Sequence, residues 1–224
     1  MQGLYLVTPN WDDTGHLLAV TEQALLAGAD VGEGGGNSIA LLQYRHKHAD
    51  PALRLAQATA LLALCRRHGV PFIVNDFVEL CQEIGADGVH LGGTDAGVAA
   101  VRALLGPDKI VGASCYGDLA LAQAAQRDGA NYAAFGGFYR STVKKYDFTT
   151  APAILDAARA ALRVPLVVIG GMTPHNAAPL VARGAHLVAA ITSVYSAENP
   201  ARAVHAFAAL FSEPVSKQFS IGNA

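Results

Sequence analysis

Short apolar runs alternate with alanine- and leucine-rich stretches of helical period along the whole 224-residue chain. No other feature limits its fold as tightly. A run of about four to seven apolar residues suits a strand buried on both faces, and the stretch after it supplies a covering helix. The runs fall at residues 4–8, 38–45, 71–75, 88–91, 109–114, 132–136, 165–170 and 187–192. The helical stretches fall at 14–27, 51–68, 77–84, 96–105, 118–127, 151–161, 174–182 and 200–211. Eight such units leave about 28 residues each and use the chain up. The expectation is one (β/α)8 TIM barrel of α/β class over residues 1–211, with a polar, patternless and mobile tail at 212–224.

The punctuation agrees. Gly-Ala follows a helix and precedes an even-numbered strand at Gly28, Gly85, Gly129 and Gly184. Glycine there suits the left-handed residue that ends a helix. Val-Pro precedes two odd strands, at Val70-Pro71 and Val164-Pro165, where proline stops the helix. A doubly wound open sheet usually carries a Gly-rich fingerprint after its first strand, and Thr8-Pro9-Asn10 is not one. The G-E-G-G-G-N stretch at 32–37 precedes a strand, so no helix N-terminus follows to cradle a phosphate. It reads as a flexible linker on the N-terminal face.

Composition narrows the function class. With 52% hydrophobic and 15% charged residues, neither a disordered chain nor a charge-rich coiled coil is expected. No run approaches about 18 apolar residues, so no membrane-spanning helix is expected. The first ten residues show no basic start and no long apolar stretch, so no secretory leader is expected either. Lys plus Arg number 16 against 18 Asp plus Glu, a formal net charge of −2 with no basic run, which argues against nucleic acid as a partner. Cys65, Cys81 and Cys115 are odd in number and lack C-x-x-C spacing. They read as reduced thiols of a cytoplasmic protein.

In such a barrel the chemistry lies past the C-terminal ends of the strands. The second strand ends Q-Y-R-H-K, where Gln43, Arg45 and Lys47 share one side and Tyr44 and His46 the other. Two cations and an amide suit an anionic, multi-oxygen ligand, although a solvated strand end would look the same. The third strand ends in Asn75-Asp76. Its carboxylate is either a hard-metal ligand or, the blander and commoner reading, a cap for the next helix. Asp95 follows the fourth strand on the neighbouring loop. Taken together, Asp76, Asp95, Arg45 and Lys47 read as a magnesium–diphosphate site. Ser114 ends the fifth strand, and Cys115 beside it reads as a small buried side chain rather than a nucleophile. Ser141, Thr142, Lys144 and Lys145 lie on the loop after the sixth strand. The seventh and eighth strands end in Gly170-Gly171 and Thr192, the usual phosphate-binding position of such barrels. His90 reads as a satisfied core histidine, and Trp11 follows the first strand from where it can line the mouth.

These fragments, in this order, resemble the thiamine-phosphate synthase family. The matching stretches are L-Y-L-V-T, Q-Y-R-H-K, N-D, G-A-D-G-V-H-L-G-G-T-D, G-A-S, S-T-V-K, I-G-G-M and I-T-S, from residue 4 to about 207. The resemblance implies condensation of 4-amino-2-methyl-5-(diphosphooxymethyl)pyrimidine with 4-methyl-5-(2-phosphoethyl)thiazole, or its 2-carboxy form. Thiamine phosphate and diphosphate are the products. It implies that Gln43, Arg45, Lys47, Asn75, Ser114 and Lys144 hold the pyrimidine diphosphate, with Tyr44 and His46 of the same stretch among the substrate contacts. Asp76 and Asp95 would bind Mg²⁺. Ser141, Thr142, Val143, Gly171, Ile191 and Thr192 would hold the thiazole phosphate, and Lys144, Arg45 and Lys47 would be catalytic. The chemistry it implies is dissociative, with diphosphate leaving before the thiazole nitrogen attacks.

The chain departs from the family's pattern at Val143 (usually threonine), Arg140 (often proline), Tyr116 (often histidine) and Gly93-Thr94 (a Gln-Glu pair), and the 32–37 loop looks inserted. Two rivals share the fold. A thiazole tautomerase relative would need neither the carboxylates nor the cations, and a non-catalytic thiazole-phosphate-binding paralogue would lose the metal pair. A sugar-phosphate isomerase would want a general base at the mouth. The oligomeric state is left open by the sequence, with a homodimer among the options.

Overall fold

The computed structural model describes residues 1–32, 36–92, 97–140 and 148–212. Eight strands, β1 (Gly3–Val7), β2 (Ile39–Tyr44), β3 (Phe72–Asn75), β4 (Gly88–Leu91), β5 (Ile110–Tyr116), β6 (Tyr132–Phe135), β7 (Leu166–Ile169) and β8 (Leu187–Ala190), pair in chain order and all parallel. β1 pairs with β8, which closes the barrel. Around it run α1 (Thr14–Asp30), α2 (Pro51–Arg67), α3 (Val78–Ile84), α4 (Val98–Leu105), α5 (Leu119–Arg127), α6 (Ile154–Ala161), α7 (Pro174–Ala182), α8 (Thr192–Tyr195) and α9 (Pro200–Ala208). Among the described residues no helix is long and apolar enough to cross a membrane.

Strand alternation divides the core in two. Tyr5, Leu41, Ile73, Tyr132, Val167 and Leu187 point inward and fill the barrel. Leu4, Leu6, Leu42, Phe72, Val74 and Val188 point outward and meet the helices. Asp13, Asp50, Asp118, Thr173 and Asn199 cap the helices that follow them, each accepting a backbone N–H. Each such cap contributes about 1 kcal/mol. On the N-terminal face Arg102 donates to the carbonyls of Gly106, Lys109 and Gly129 and to the Asn131 side chain, fastening the chain before β5 to the chain before β6.

Several expectations are corrected. Gly28 does not end α1, which continues to Asp30. Its missing side chain instead admits Asn37, which bonds Leu25 O and Ile39 N, while Ser38 N–H donates to Gly28 O. Gly85, Gly129 and Gly184 do take positive φ, as anticipated. α6 begins at Ile154 rather than 151, because residues 151–153 form a tighter turn with bonds from Ile154 N to Ala151 O and Leu155 N to Pro152 O. β5 runs on to Tyr116 through an irregularity opposite β6. β8 stops at Ala190, and the short α8 replaces the expected strand end. Residues 33–35 of the linker and the tail beyond residue 212 lie outside the described residues.

Candidate active site

A pocket opens at the C-terminal end of the barrel, lined by Gln43, Arg45, Asn75, His90, Ile169, Gly170, Gly171, Met172, Ala189, Ile191 and Thr192. Its empty space, counted out to the mouth, is about 540 Å³.

On β2 and the loop after it, alternation sends Gln43 and Arg45 into the pocket. Thr8 Oγ1 accepts Arg45 N–H at 2.8 Å and reaches Arg45 O at 3.4 Å. Asn10 Oδ1 accepts Lys47 N–H at 3.3 Å. The loop carrying both cations is thus stitched to the loop after β1. Tyr44 and His46, grouped with the substrate contacts on the strength of the resemblance, turn the other way. The Tyr44 hydroxyl donates to Gln57 of α2 at 3.0 Å, and burial raises its pKa to about 12, so it stays a neutral donor. His46 Nδ1 accepts Ala49 N–H at 3.1 Å, which leaves the hydrogen on Nε2, 2.9 Å from Asp12 Oδ1. Both side chains serve the frame behind the loop rather than the pocket. Trp11, anticipated at the mouth, instead stacks on His16 and meets Tyr195 edge-on.

At the end of β3, Asn75 lines the pocket and Asp76 adopts a left-handed backbone with φ 64°. Its N–H donates to His90 O at 2.9 Å, which holds this conformation in place. The cap residue of α3 is Phe77, and no side chain caps that helix, so the blander reading of Asp76 fails. Its carboxylate lies 3.5 Å from Lys47 Nζ, and the lysine is half exposed, a weak pairing that a hard cation can displace.

His90 is buried with both ring nitrogens hydrogen-bonded, the satisfied core histidine that its sequence position suggests, and in addition it lines the pocket. Its Nδ1 lies 3.0 Å from Tyr132 OH and its Nε2 2.9 Å from Ser114 Oγ, and the chain continues to Tyr5 and Gln43. Cys115 beside Ser114 is buried, as expected, and burial raises its thiol to about 12. Cys65 and Cys81 are likewise buried free thiols, raised to about 12 and about 11 by burial.

Across the pocket, Gly170 and Gly171 both have positive φ. A side chain on Gly171 would strike the Arg140 carbonyl, so only bare backbone fits between Gly171 and Tyr139–Arg140. Asn176 locks the pair. It donates to Gly171 O at 2.9 Å, completes a capping box with Thr173 and receives Tyr139 OH on its carbonyl. Ile191 and Thr192 begin α8 at the pocket rim. Asp95, Ser141, Thr142, Val143, Lys144 and Lys145 lie outside the described residues. Ile169, Ala189 and Met172 complete the apolar lining; period-2 alternation marks Ile169 and Ala189 as inward, in step with Val167 and Leu187, without assigning them to a ligand, whereas Met172 lies past the end of β7 and carries no such signal.

Residues 4–194 match the family model described as thiamine monophosphate synthase. The chain is 59% identical over 213 residues to the thiamine-phosphate synthase of Janthinobacterium sp. (strain Marseille), covering 95% of this chain and 98% of that one. It is 49% identical over 212 residues to the enzyme of the same name from Xanthomonas campestris pv. campestris (strain 8004), covering 95% and 97%. Among solved structures, a thiamine phosphate pyrophosphorylase from Pyrococcus furiosus superposes with a TM-score of 0.78 at 25% identity, over 93% of this chain and 95% of that one.

Proposed function

The chain belongs to the thiamine monophosphate synthase family, and from that membership we propose how its pocket works. Its activity is thiamine-phosphate synthesis, a transferase reaction. One observation carries the division of labour. Gln43 and Arg45 share a single pocket with Gly171 and Thr192, so a site for a diphosphate and a site for a phosphate face one cavity. The pyrimidine diphosphate takes the side lined by Gln43, Arg45 and Asn75, joined by Lys47 of the loop after β2, by Ser114, which bonds the pocket-lining His90, and by Lys144. The thiazole phosphate takes Gly171, Ile191 and Thr192, with residues 141–143.

In the reaction the bond from the pyrimidine's methylene carbon to the diphosphate oxygen breaks and its electron pair leaves with diphosphate. The thiazole nitrogen then donates its lone pair to that carbon, giving the thiazolium of thiamine phosphate. No described cysteine is poised to attack, since all three thiols are buried and held protonated. Positioning and charge stabilisation therefore carry the rate. Arg45 and Lys47 stand where leaving-group charge develops, and cations placed there favour the transition state over bound substrate. Asp76 fits a hard cation as a partly exposed carboxylate with no capping duty, and with Asp95 it would hold Mg²⁺. When bound, that ion neutralises charge on the diphosphate oxygens.

The test is product formation. Purified protein given both substrates and Mg²⁺ should yield thiamine phosphate and diphosphate in equal amounts, and EDTA should abolish turnover until Mg²⁺ is restored. Full activity after exhaustive chelation removes the magnesium assignment, and binding without product favours a non-catalytic paralogue. Thr192→Ala should weaken thiazole-phosphate binding by roughly tenfold, the loss of about one hydrogen bond. Pyrimidine diphosphate affinity should stay nearly intact, and equal loss for both substrates would mean that the two ends are misplaced.

A further inference from the structure

Five side chains from five strands form one hydrogen-bonded chain through the barrel interior beneath the pocket. Gln43 Nε2 meets Tyr5 OH at 2.6 Å, and Tyr5 OH meets Tyr132 OH at 2.6 Å. Tyr132 OH meets His90 Nδ1 at 3.0 Å, and His90 Nε2 meets Ser114 Oγ at 2.9 Å. The members are locked by packing. Tyr5 and Tyr132 are buried with their rings edge to face, and the Tyr132 ring lies parallel to His90. Gly112 has no side chain because the Tyr132 ring fills that space. Burial raises the pKa of both phenols, so each keeps its single proton to donate.

One proton per hydroxyl makes the chain directional. The Gln43 amide faces Tyr5 with its nitrogen, so Tyr5 accepts there and gives its own proton to Tyr132. Tyr132 in turn donates to His90 Nδ1. A neutral imidazole that accepts at Nδ1 carries its hydrogen on Nε2 and gives it to Ser114 Oγ. At the two ends this leaves the Gln43 carbonyl oxygen as an acceptor and the Ser114 hydroxyl proton as a donor, both unused by the chain.

We propose that the chain fixes the order of acceptor and donor at the pyrimidine end of the pocket, so that the site selects a heteroaromatic ring bearing an exocyclic amine and an unprotonated ring nitrogen. Tyr5, Tyr132 and His90 are its specificity-determining positioning residues. The inference rests on the pyrimidine site proposed above. A ring with an exocyclic carbonyl and a protonated ring nitrogen presents the opposite order and mismatches both ends. Buried partners left unpaired cost enough to predict binding weaker by on the order of 10²–10³-fold.

Two measurements test this. Long-range ¹H–¹⁵N correlation spectra of the intact protein, assigned with His90→Gln, should show the Nε2–H tautomer of His90. An Nδ1–H tautomer would mean that the chain runs the other way, and the proposal would be overturned. Calorimetry should show wild-type protein preferring the 4-amino over the 4-oxo pyrimidinylmethyl diphosphate by at least about 100-fold. Tyr132→Phe keeps the ring and removes only the link, and should reduce the preference below about tenfold while leaving thiazole-phosphate affinity unchanged. Tyr5→Phe cuts the chain at another joint and should do the same. Full preference retained in both variants overturns the proposal. Wild-type protein that binds neither pyrimidine overturns the reading of the site itself, and the specificity role with it, whatever the tautomer.

Discussion

The proposed metal role of Asp76 can be tested cleanly because of its backbone. At φ 64° the residue stands in a region that aspartate and asparagine tolerate and most side chains do not, which narrows the changes that can separate chemistry from folding. Asp76→Asn keeps the conformation and removes the charge, so thermal unfolding should shift little while kcat falls by about 10²-fold or more. Asp76→Ala should lose the same activity and in addition about 1 kcal/mol of stability. If Asp76→Asn keeps full activity at saturating Mg²⁺, the carboxylate holds no metal. Lys144 makes a second pair with its neighbour. Removal of one charge-assisted donor at the leaving group costs about 10²–10³ in turnover, so Lys144→Ala should lower kcat far more than it weakens pyrimidine diphosphate binding. Lys145→Ala should be nearly silent. Single-turnover kinetics on both variants decide the register, and the reverse ranking would place the leaving-group cation at residue 145.

Among the elements, Tyr139 and Arg140 after β6 and the turn after β7 are held together, because Gly171 leaves no room between its backbone and Arg140 and because Asn176 joins Gly171, Thr173 and Tyr139. Gly171→Ala adds a methyl group at φ 64°, which costs about 1 kcal/mol before any clash. The carbonyl it meets must then move. The thiazole-phosphate dissociation constant should rise at least about tenfold while that of the pyrimidine diphosphate changes little, as read by calorimetry. Much of this level was legible in the sequence. Strands buried on both faces announce themselves as apolar runs, and alternation alone separated Gln43 and Arg45 from Tyr44 and His46. What stayed hidden depends on contacts between distant strands. Alternation turns His90 inward, but only Tyr132 from β6 and Ser114 from β5 decide whether inward means core or pocket floor. Likewise L-V-A-A-I-T reads as one apolar run, although the chain leaves the sheet at Ala190 and coils into α8. Gly28 looks like a helix end until Asn37, nine residues away, is seen to occupy its missing side chain.

For the whole molecule, the two ends of the barrel divide the work, with the pocket and the proposed binding residues at the C-terminal face and fastening groups such as Arg102 at the other. His186 belongs to the fastening end. Its ring Nδ1 accepts Leu166 N–H at 3.1 Å, and its backbone N–H donates to Leu166 O at 2.9 Å, joining the starts of β7 and β8. Partial burial lowers its pKa, helped by the positive charges of the amino terminus and Arg159. Protonation would also remove the acceptor that Leu166 N–H uses. The unfolded chain titrates at the ordinary value of about 6.5, above the folded value, so below about pH 7 the unfolded state takes up a proton that the native state resists. Stability from this residue is therefore complete above about pH 7 and is lost as pH falls through the unfolded value toward the folded one. Carboxylates titrate lower and add their own slope, so the informative quantity is a difference. Asparagine at 186 keeps an acceptor oxygen without a titratable ring. Denaturant midpoints of the native protein minus those of His186→Asn should rise between about pH 5 and 7 and stay flat above it. A difference that does not change with pH would show that His186 titrates alike in both states. Because the residue lies at the end of the barrel away from the pocket, kcat of the variant at pH 7.5 should match the parent, which separates a stability effect from a catalytic one.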